Sequence, residues 1–312
     1  MPDQVTEESL RLLLEVDEHW RKWQSKPPDV VYHYARANIL GQVLESNRLW
    51  ATLSTQLNDA RELDHASDIL RGVLKSRAAS ASVHSGELYP PSVTSFQYPR
   101  SDLVTTFVAS LSATEDDLSQ WCMYGDTFSG VALGFDSGSL VELDLIDHSA
   151  QPLGFFKVMY EESQQLQFFE WMVGEWERQV SIVWERDHPT DADARRHRLS
   201  LFAQLAAAGL SALPRMKARH FASENEWRLV HLHNRHRSCC PILNHGTRQH
   251  VALDLSQPGG KLPLVCVWLG ASVANDESEN LVRRLLSKHG HEKVSVKRSE
   301  IPLRGEPRRI AL

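Results

Sequence analysis

The chain has 312 residues, 24% of them charged, with a formal net charge of −6 at pH 7. That length holds one large domain or two small ones with a full hydrophobic core, and nothing in the charge balance argues for nucleic acid or an anionic membrane as the main partner, leaving a local basic patch open. Cys122, Cys239, Cys240 and Cys266 have neither disulfide-framework nor zinc-knuckle spacing; the first residues lack a leader pattern, and no apolar run approaches the roughly 18 residues of a membrane span, so a soluble cytoplasmic protein is expected.

Leu10, Leu13, Leu14, Val16, Trp20 and Trp23 predict an amphipathic helix over 6–25, ended by Lys26-Pro27-Pro28. A strand over 30–34, a helix over 37–44 and a strand over 49–52 follow. Asn58-Asp59 can cap a helix that runs past Val73, and Asp59 to Glu62 has capping-box spacing. A Ser/Ala/Gly/Pro-rich stretch over 78–102 reads as an exposed loop. Strand character returns at 104–111, helical turns at 118–124, and strands at 130–136 and 155–160. Long helical patterns cover 167–184 and 192–218, broken near His188-Pro189. Strands over 227–233, 250–255 and 264–269, a helix over 277–287 and a strand near 294–296 complete the chain. The order predicts an α+β fold with a mixed, mainly antiparallel sheet: a helix in 1–29, one domain over 30–305 with a helical insertion at about 162–218, and a tail over 306–312.

Several side chains invite a chemical reading. His33 alternates with Tyr32 and Tyr34 and can hydrogen-bond a ribose hydroxyl, although a lone strand histidine is more often structural. Glu224 and Glu226 share a face if they lie on a strand, and occupy a turn if the strand starts at Trp227. Paired carboxylates there can stabilise an oxocarbenium-like transition state; the plainer alternative is a solvated turn with Arg228 pairing Glu226. Trp50 and Ser54 lie at a strand-to-loop transition, and Trp121 with Tyr124 can stack a planar ring or simply pack the core. His231, His233, His236, Cys239 and Cys240 form the densest set of metal-ligating types, but no second pair completes a zinc site, so no metal is expected. Neither a nucleophile elbow nor a phosphate loop is present.

The ordered set Tyr32-His33-Tyr34, Leu49-Trp50-x-x-x-Ser54, Asn58-Asp59-x-x-Glu62, Phe107-x-x-Ser110, Trp121-x-x-Tyr124, Gly130-x-x-x-Gly134-Phe135-Asp136, Tyr160 and Glu224-x-Glu226-Trp227-Arg228 resembles the bacterial domain of unknown function 2971 (DUF2971) family, over about 30–270. The family's opening His, central aromatic and polar elements and closing Glu resemble in turn the His…Tyr…Glu arrangement of ADP-ribosyltransferase-like folds, including DNA-targeting toxins. That resemblance implies a split sheet and NAD as substrate, in toxin or phage-defence biology. His33 would hold the adenosine-side ribose or the nicotinamide end, Glu226 would be the catalytic carboxylate and Glu224 would orient the acceptor. Arg228 and Lys217 would neutralise pyrophosphate. Tyr32, Ser54, Asn58, Asp59, Ser110, Trp121 and Tyr124 complete the implied NAD site. The chain departs from the family pattern at Phe107-Val-Ala-Ser110, where a Cys-Phe-Ser run is usual.

The acceptor, nucleic acid or protein, is open, and no membrane partner is expected. The rival class is a non-catalytic nucleotide-sensing or protein-interaction module with the helices over 162–218 as its surface. A hydrolytic nuclease would need Asp59, Glu62, Glu224 and Glu226 gathered around metal ions.

Overall fold

The computed structural model describes residues 7–57, 62–80, 89, 91–94, 104–145, 153–187, 191–234, 240–257, 260–303 and 307–312. Apolar alternation and helical periodicity resolve there into α1 (Glu7–Trp23), β1 (Val30–Ala35), α2 (Ala37–Ser46), β2 (Arg48–Leu53), α3 (Glu62–Ser80), α4 (Pro91–Thr94) and β3 (Val104–Ser112). Next come α5 (Leu118–Met123), β4 (Val131–Asp136), α6 (Ser137–Leu145), β5 (Leu153–Lys157), α7 (Glu162–Asp187) and α8 (Asp191–Ala212). The last third holds β6 (Glu226–Asn234), β7 (Leu243–His245), β8 (Arg248–Asp254), β9 (Leu264–Leu269), α9 (Asp276–Lys288) and β10 (Ser295–Arg298). The fold is α+β with a mostly antiparallel open sheet.

The chain divides into two compact units: Met1–Ser25, Ser54–Thr106 and Val158–Ala222 form one, and Lys26–Leu53, Phe107–Lys157 and Ser223–Leu312 the other. The first is helical. Leu12, Val16 and Trp20 of α1 are fully buried, as are Phe169, Met172 and Val173 of α7. Arg215 is buried beside them, ion-paired to Asp17, with its guanidinium 5.5 Å from the centre of the Trp20 ring. A buried cation is tolerated on such terms, because a carboxylate and an aromatic face replace water.

The second unit carries the sheet, in the order β10-β9-β4-β1-β3-β2-β8-β7, with β6 joined to β3 and β5. β9 and β10 run parallel, whereas β4 and β9, β1 and its neighbours, β2 and its neighbours, β5 and β6, and β7 and β8 run antiparallel. One face is covered by α2, α6 and α9, whose Leu40, Leu140 and Val282 pack with Val31, Leu133, Leu229 and Val267 of the strands. The opposite face of β1, β4 and β9 gathers Tyr32, Tyr34, Ala132, Cys266 and Trp268 with Trp121 of α5.

Several boundaries differ from the sequence expectation, among them that of α7, expected over 167–184 and found over Glu162–Asp187. The helix expected over 192–218 stops at Ala212, two residues before Pro214, which lacks an amide hydrogen and disfavours helix in its predecessor. The strand expected over 155–160 is Leu153–Lys157. Within the stretch read as an exposed loop, Tyr89 and Val93 are buried and Pro91–Thr94 is helical. An unexpected helix, α6, begins where Asp136 accepts the amide of Ser139 at 2.7 Å, a capping interaction that the strand-like Gly130–Asp136 run conceals.

Two glycines give opposite expectations. At Gly130 a methyl group would collide with the Ala35 carbonyl oxygen, so Gly130→Ala should cost about 1–3 kcal/mol. At Gly41, inside α2, a methyl group meets nothing within 4 Å, and Gly41→Ala should gain about 0.5–1 kcal/mol in helix propensity. Urea denaturation of the two variants measures both.

Candidate functional site

β1 pairs with β4 along six residues but with β3 through one pair, Tyr32↔Ser112. Beyond it the Ser110 carbonyl takes its hydrogen bond from the His33 side chain, Nδ1 to O 3.0 Å. A carbonyl only accepts, so Nδ1 carries the hydrogen. Burial lowers the His33 pKa, against a smaller opposing effect of the Ser110 hydrogen bond, and so favours the neutral ring. Nε2 is therefore an acceptor.

A cavity of about 70 Å³ opens here within the sheet unit, lined by Tyr32, His33, Tyr34, Ser110, Leu111, Gln120, Tyr124, Glu224 and Glu226. It is small beside the several hundred Å³ that hold a whole cofactor, and suits one ring or one ribose edge.

The acidic pair straddles a backbone turn. Glu224 ends a 3-10 turn over Arg219–Glu224, Asn225 takes a left-handed φ of 44°, and Glu226 is the first residue of β6. Asparagine is one of the few side chains that enters this region at low cost. Ser112 Oγ fixes the Glu224 carbonyl at 2.9 Å, and the Ala113 amide reaches the Asn225 carbonyl at 2.9 Å. Glu224 is half-buried and accepts the Tyr124 hydroxyl at 3.2 Å. Glu226 is buried and held by Arg228, Nε to Oε1 and Nη2 to Oε2 both 2.9 Å. Trp227, pointing the other way, stacks on Phe155 at 5.0 Å in the core. The turn and the Arg228–Glu226 pair of the plainer sequence reading are thus both present, but Glu226 is buried rather than solvated.

The tyrosines are anchored from the 114–117 loop. Tyr32 donates to Glu115 at 3.0 Å; Tyr34 donates to the Thr114 carbonyl and accepts the Asp117 amide, each at 3.0 Å. Burial first, then neighbouring acids, raises both phenol pKa values well above the ordinary range. Asp117 also caps α5 by accepting the Gln120 amide at 2.9 Å, which sets Gln120 and Tyr124 on the cavity wall.

Tyr32, His33, Ser110, Tyr124, Glu224 and Glu226 are therefore brought together, and other expected site residues are not. Trp121 is fully buried, edge-on to Tyr34 with ring centres 4.9 Å apart and its indole N–H on Asp116 at 2.8 Å, so it packs the core rather than offering a stacking face. Arg228 is 1% exposed and occupied by Glu226, and it does not line the cavity. Ser54 and Lys217 are buried in the helical unit, Lys217 with its ammonium 4.7 Å from the centre of the Phe221 ring. Asn58 and Asp59 lie outside the described residues, as do His236 and Cys239. Tyr34, Leu111 and Gln120 join the cavity wall without being expected there; the Tyr-His-Tyr alternation and the Asp117 cap are the signals that point to them. Among the described residues no three His, Cys, Asp or Glu side chains are grouped to hold a metal ion, and no helix is long and apolar enough to cross a membrane.

Residues 120–229 match the family model described as protein of unknown function (DUF2971). The match includes Gln120, Tyr124, Glu224, Glu226 and Arg228, and leaves out the β1 residues Tyr32 to Tyr34. No curated protein and no solved structure matches the chain.

Burial lowers the pKa of His33, His233, His250 and His291 in this unit below the ordinary 6.5. Each takes up its proton at lower pH in the fold than in the unfolded chain, where protonation sets in below about pH 6.5. Their contribution is thus complete above that pH and is lost as pH falls from there through the lower folded-state values. Thermal melts should show a steady Tm from about pH 8 to 7 and a decline toward pH 5, less steep in His33→Asn.

Proposed function

We propose that the cavity takes the nicotinamide-ribose end of NAD and that the chain is an ADP-ribosyltransferase-like protein, passing ADP-ribose to a macromolecular acceptor. The observation that carries this reading is the meeting of His33, Glu224 and Glu226 at one cavity. A catalytic or binding constellation must reach a single ligand, and His33 and the two glutamates, nearly two hundred positions apart in the chain, line one cavity.

The chemistry suits the side chains. Breaking the bond between the ribose C1′ and the nicotinamide nitrogen sends the bonding pair to the ring and leaves positive charge on the ribose. A fixed carboxylate opposes that charge at little reorganisation cost. The acceptor's nucleophile then bonds to C1′ and gives up its proton to water. Glu224, half-buried and oriented by Tyr124, is the carboxylate with access to the ligand. Glu226, clasped by Arg228, supports the wall behind it. Neutral His33 offers Nε2 to a ribose hydroxyl.

A second reading follows from that clasp. The resemblance makes Glu226 catalytic, yet both its oxygens are engaged by Arg228, which favours a module that binds a nucleotide and does not turn it over.

Isothermal titration and nicotinamide release separate the two. The transferase reading expects NAD binding that weakens at least tenfold in His33→Ala, with release lowered about 10²-fold or more in Glu224→Gln. Binding without release for any nucleic-acid or protein acceptor would leave the sensing module. Failure to bind at millimolar NAD would sink both as NAD readings.

Arg228→Met should destabilise the fold by about 3–5 kcal/mol in urea, because it leaves a buried carboxylate without its guanidinium. The double variant Glu226→Gln/Arg228→Met should recover part of that stability.

A further inference from the structure

The end of the sheet formed by β2, β8 and β7 carries a surface that the cavity does not use. Alternation sends Leu49, Ala51, Val251 and Leu253 into the core and turns Trp50, Thr52 and His250 to the opposite face. Trp50 is 37% exposed there. Its ring lies 5.3 Å from that of His250 at 33°, and 5.8 Å from that of His245 at 62°. Thr52 Oγ1 and His250 Nδ1 share a hydrogen bond of 3.2 Å, which holds the imidazole beside the indole. The β7–β8 hairpin turns at Gly246 with φ 60° and sets His245 against Arg248.

The charges on this face are predominantly basic. Arg48 and Arg248 are exposed at its two ends. Arg48 stands opposite Asp254, six residues along β8 from Arg248, so the arginines are roughly 20 Å apart with Trp50 between them. Among the described residues Asp254 is the one carboxylate on this face of the three strands, and it accepts the Ser256 amide at 2.9 Å. Burial first, and then the positive field of His245 and Arg248, lowers the His250 pKa.

We propose that this face binds single-stranded nucleic acid, with a base stacked on Trp50 and the backbone phosphates drawn to Arg48 and Arg248. An exposed indole supplies a π-face that any unpaired base can use, and flanking guanidinium groups supply the sequence-independent attraction to phosphate. A helix-binding groove would present contiguous apolar side chains instead. With a net charge of −6 the attraction is local, so binding depends on this strip and is sensitive to salt. The site stands independently of the NAD reading.

The test is fluorescence anisotropy of the full chain with labelled oligo-dT and oligo-rU of about 12 nucleotides, over a salt series. Trp50→Ala should weaken binding about tenfold while Trp50→Phe retains most of it. Arg48→Glu/Arg248→Glu should weaken binding and reduce the slope of log affinity against log salt by about one for each phosphate no longer neutralised. Circular dichroism identifies any variant that has not folded, and the arginine pair then decides the matter, since both side chains are exposed. Failure of the wild type to bind either oligomer, or unchanged affinity in folded Trp50→Ala and in the arginine pair, would overturn the proposal.

Discussion

A single cross-strand pair, Tyr32↔Ser112, joins β1 to β3, and the candidate site depends on what happens beside it. Backbone carbonyls in a sheet need donors, and a ladder that opens must find them elsewhere. At Ser110 the donor is the imidazole of His33. One hydrogen bond thus satisfies the carbonyl and selects the tautomer, which in the neutral ring leaves Nε2 as an acceptor. A lysine could donate but could not offer the acceptor, and an apolar side chain could do neither.

The remaining walls are held by bonds of the same kind, each using one polar group to fix another. The Asp117 cap orients α5 and its amide holds Tyr34; Ser112 and Ala113 hold the backbone at Glu224 and Asn225. The left-handed residues Asp116 and Asn225 sit in these connections, where a change of chain direction is needed over one residue. The two glutamates consequently differ although only one residue separates them. One faces the cavity with a tyrosine, and the other is locked to an arginine.

Most of the elements are legible in the sequence, because the sheet core is written in strong apolar runs such as Leu264–Leu269 and the long helices in clear periods. β7 is not, since three exposed residues carry no burial pattern. His33 and the acidic pair are legible as chemical types. Their surroundings are not: whether Glu226 faces a ligand or an arginine turns on the φ of Asn225, and whether Trp121 stacks or packs turns on the depth of α5. Residue spacing carries neither quantity. The division of the chain into units is equally hidden, because it depends on contacts between stretches far apart in sequence.

That interleaving has a consequence for synthesis. The chain passes from one unit to the other after residues 25, 53, 106, 157 and 222, so neither unit is a continuous stretch that a ribosome could release and let fold alone. β1 emerges early, but its full partner β4 follows about a hundred residues later, and β6, β8 and β9 come only in the last third. Until β3 and β4 are made the apolar face of β1 and β2 has no sheet to join, and Glu224 and Glu226 come later still. Between residues 33 and 224 a nascent chain therefore carries the histidine without its carboxylates, so any activity of this site waits for both, and the early strands are left for chaperones to shield.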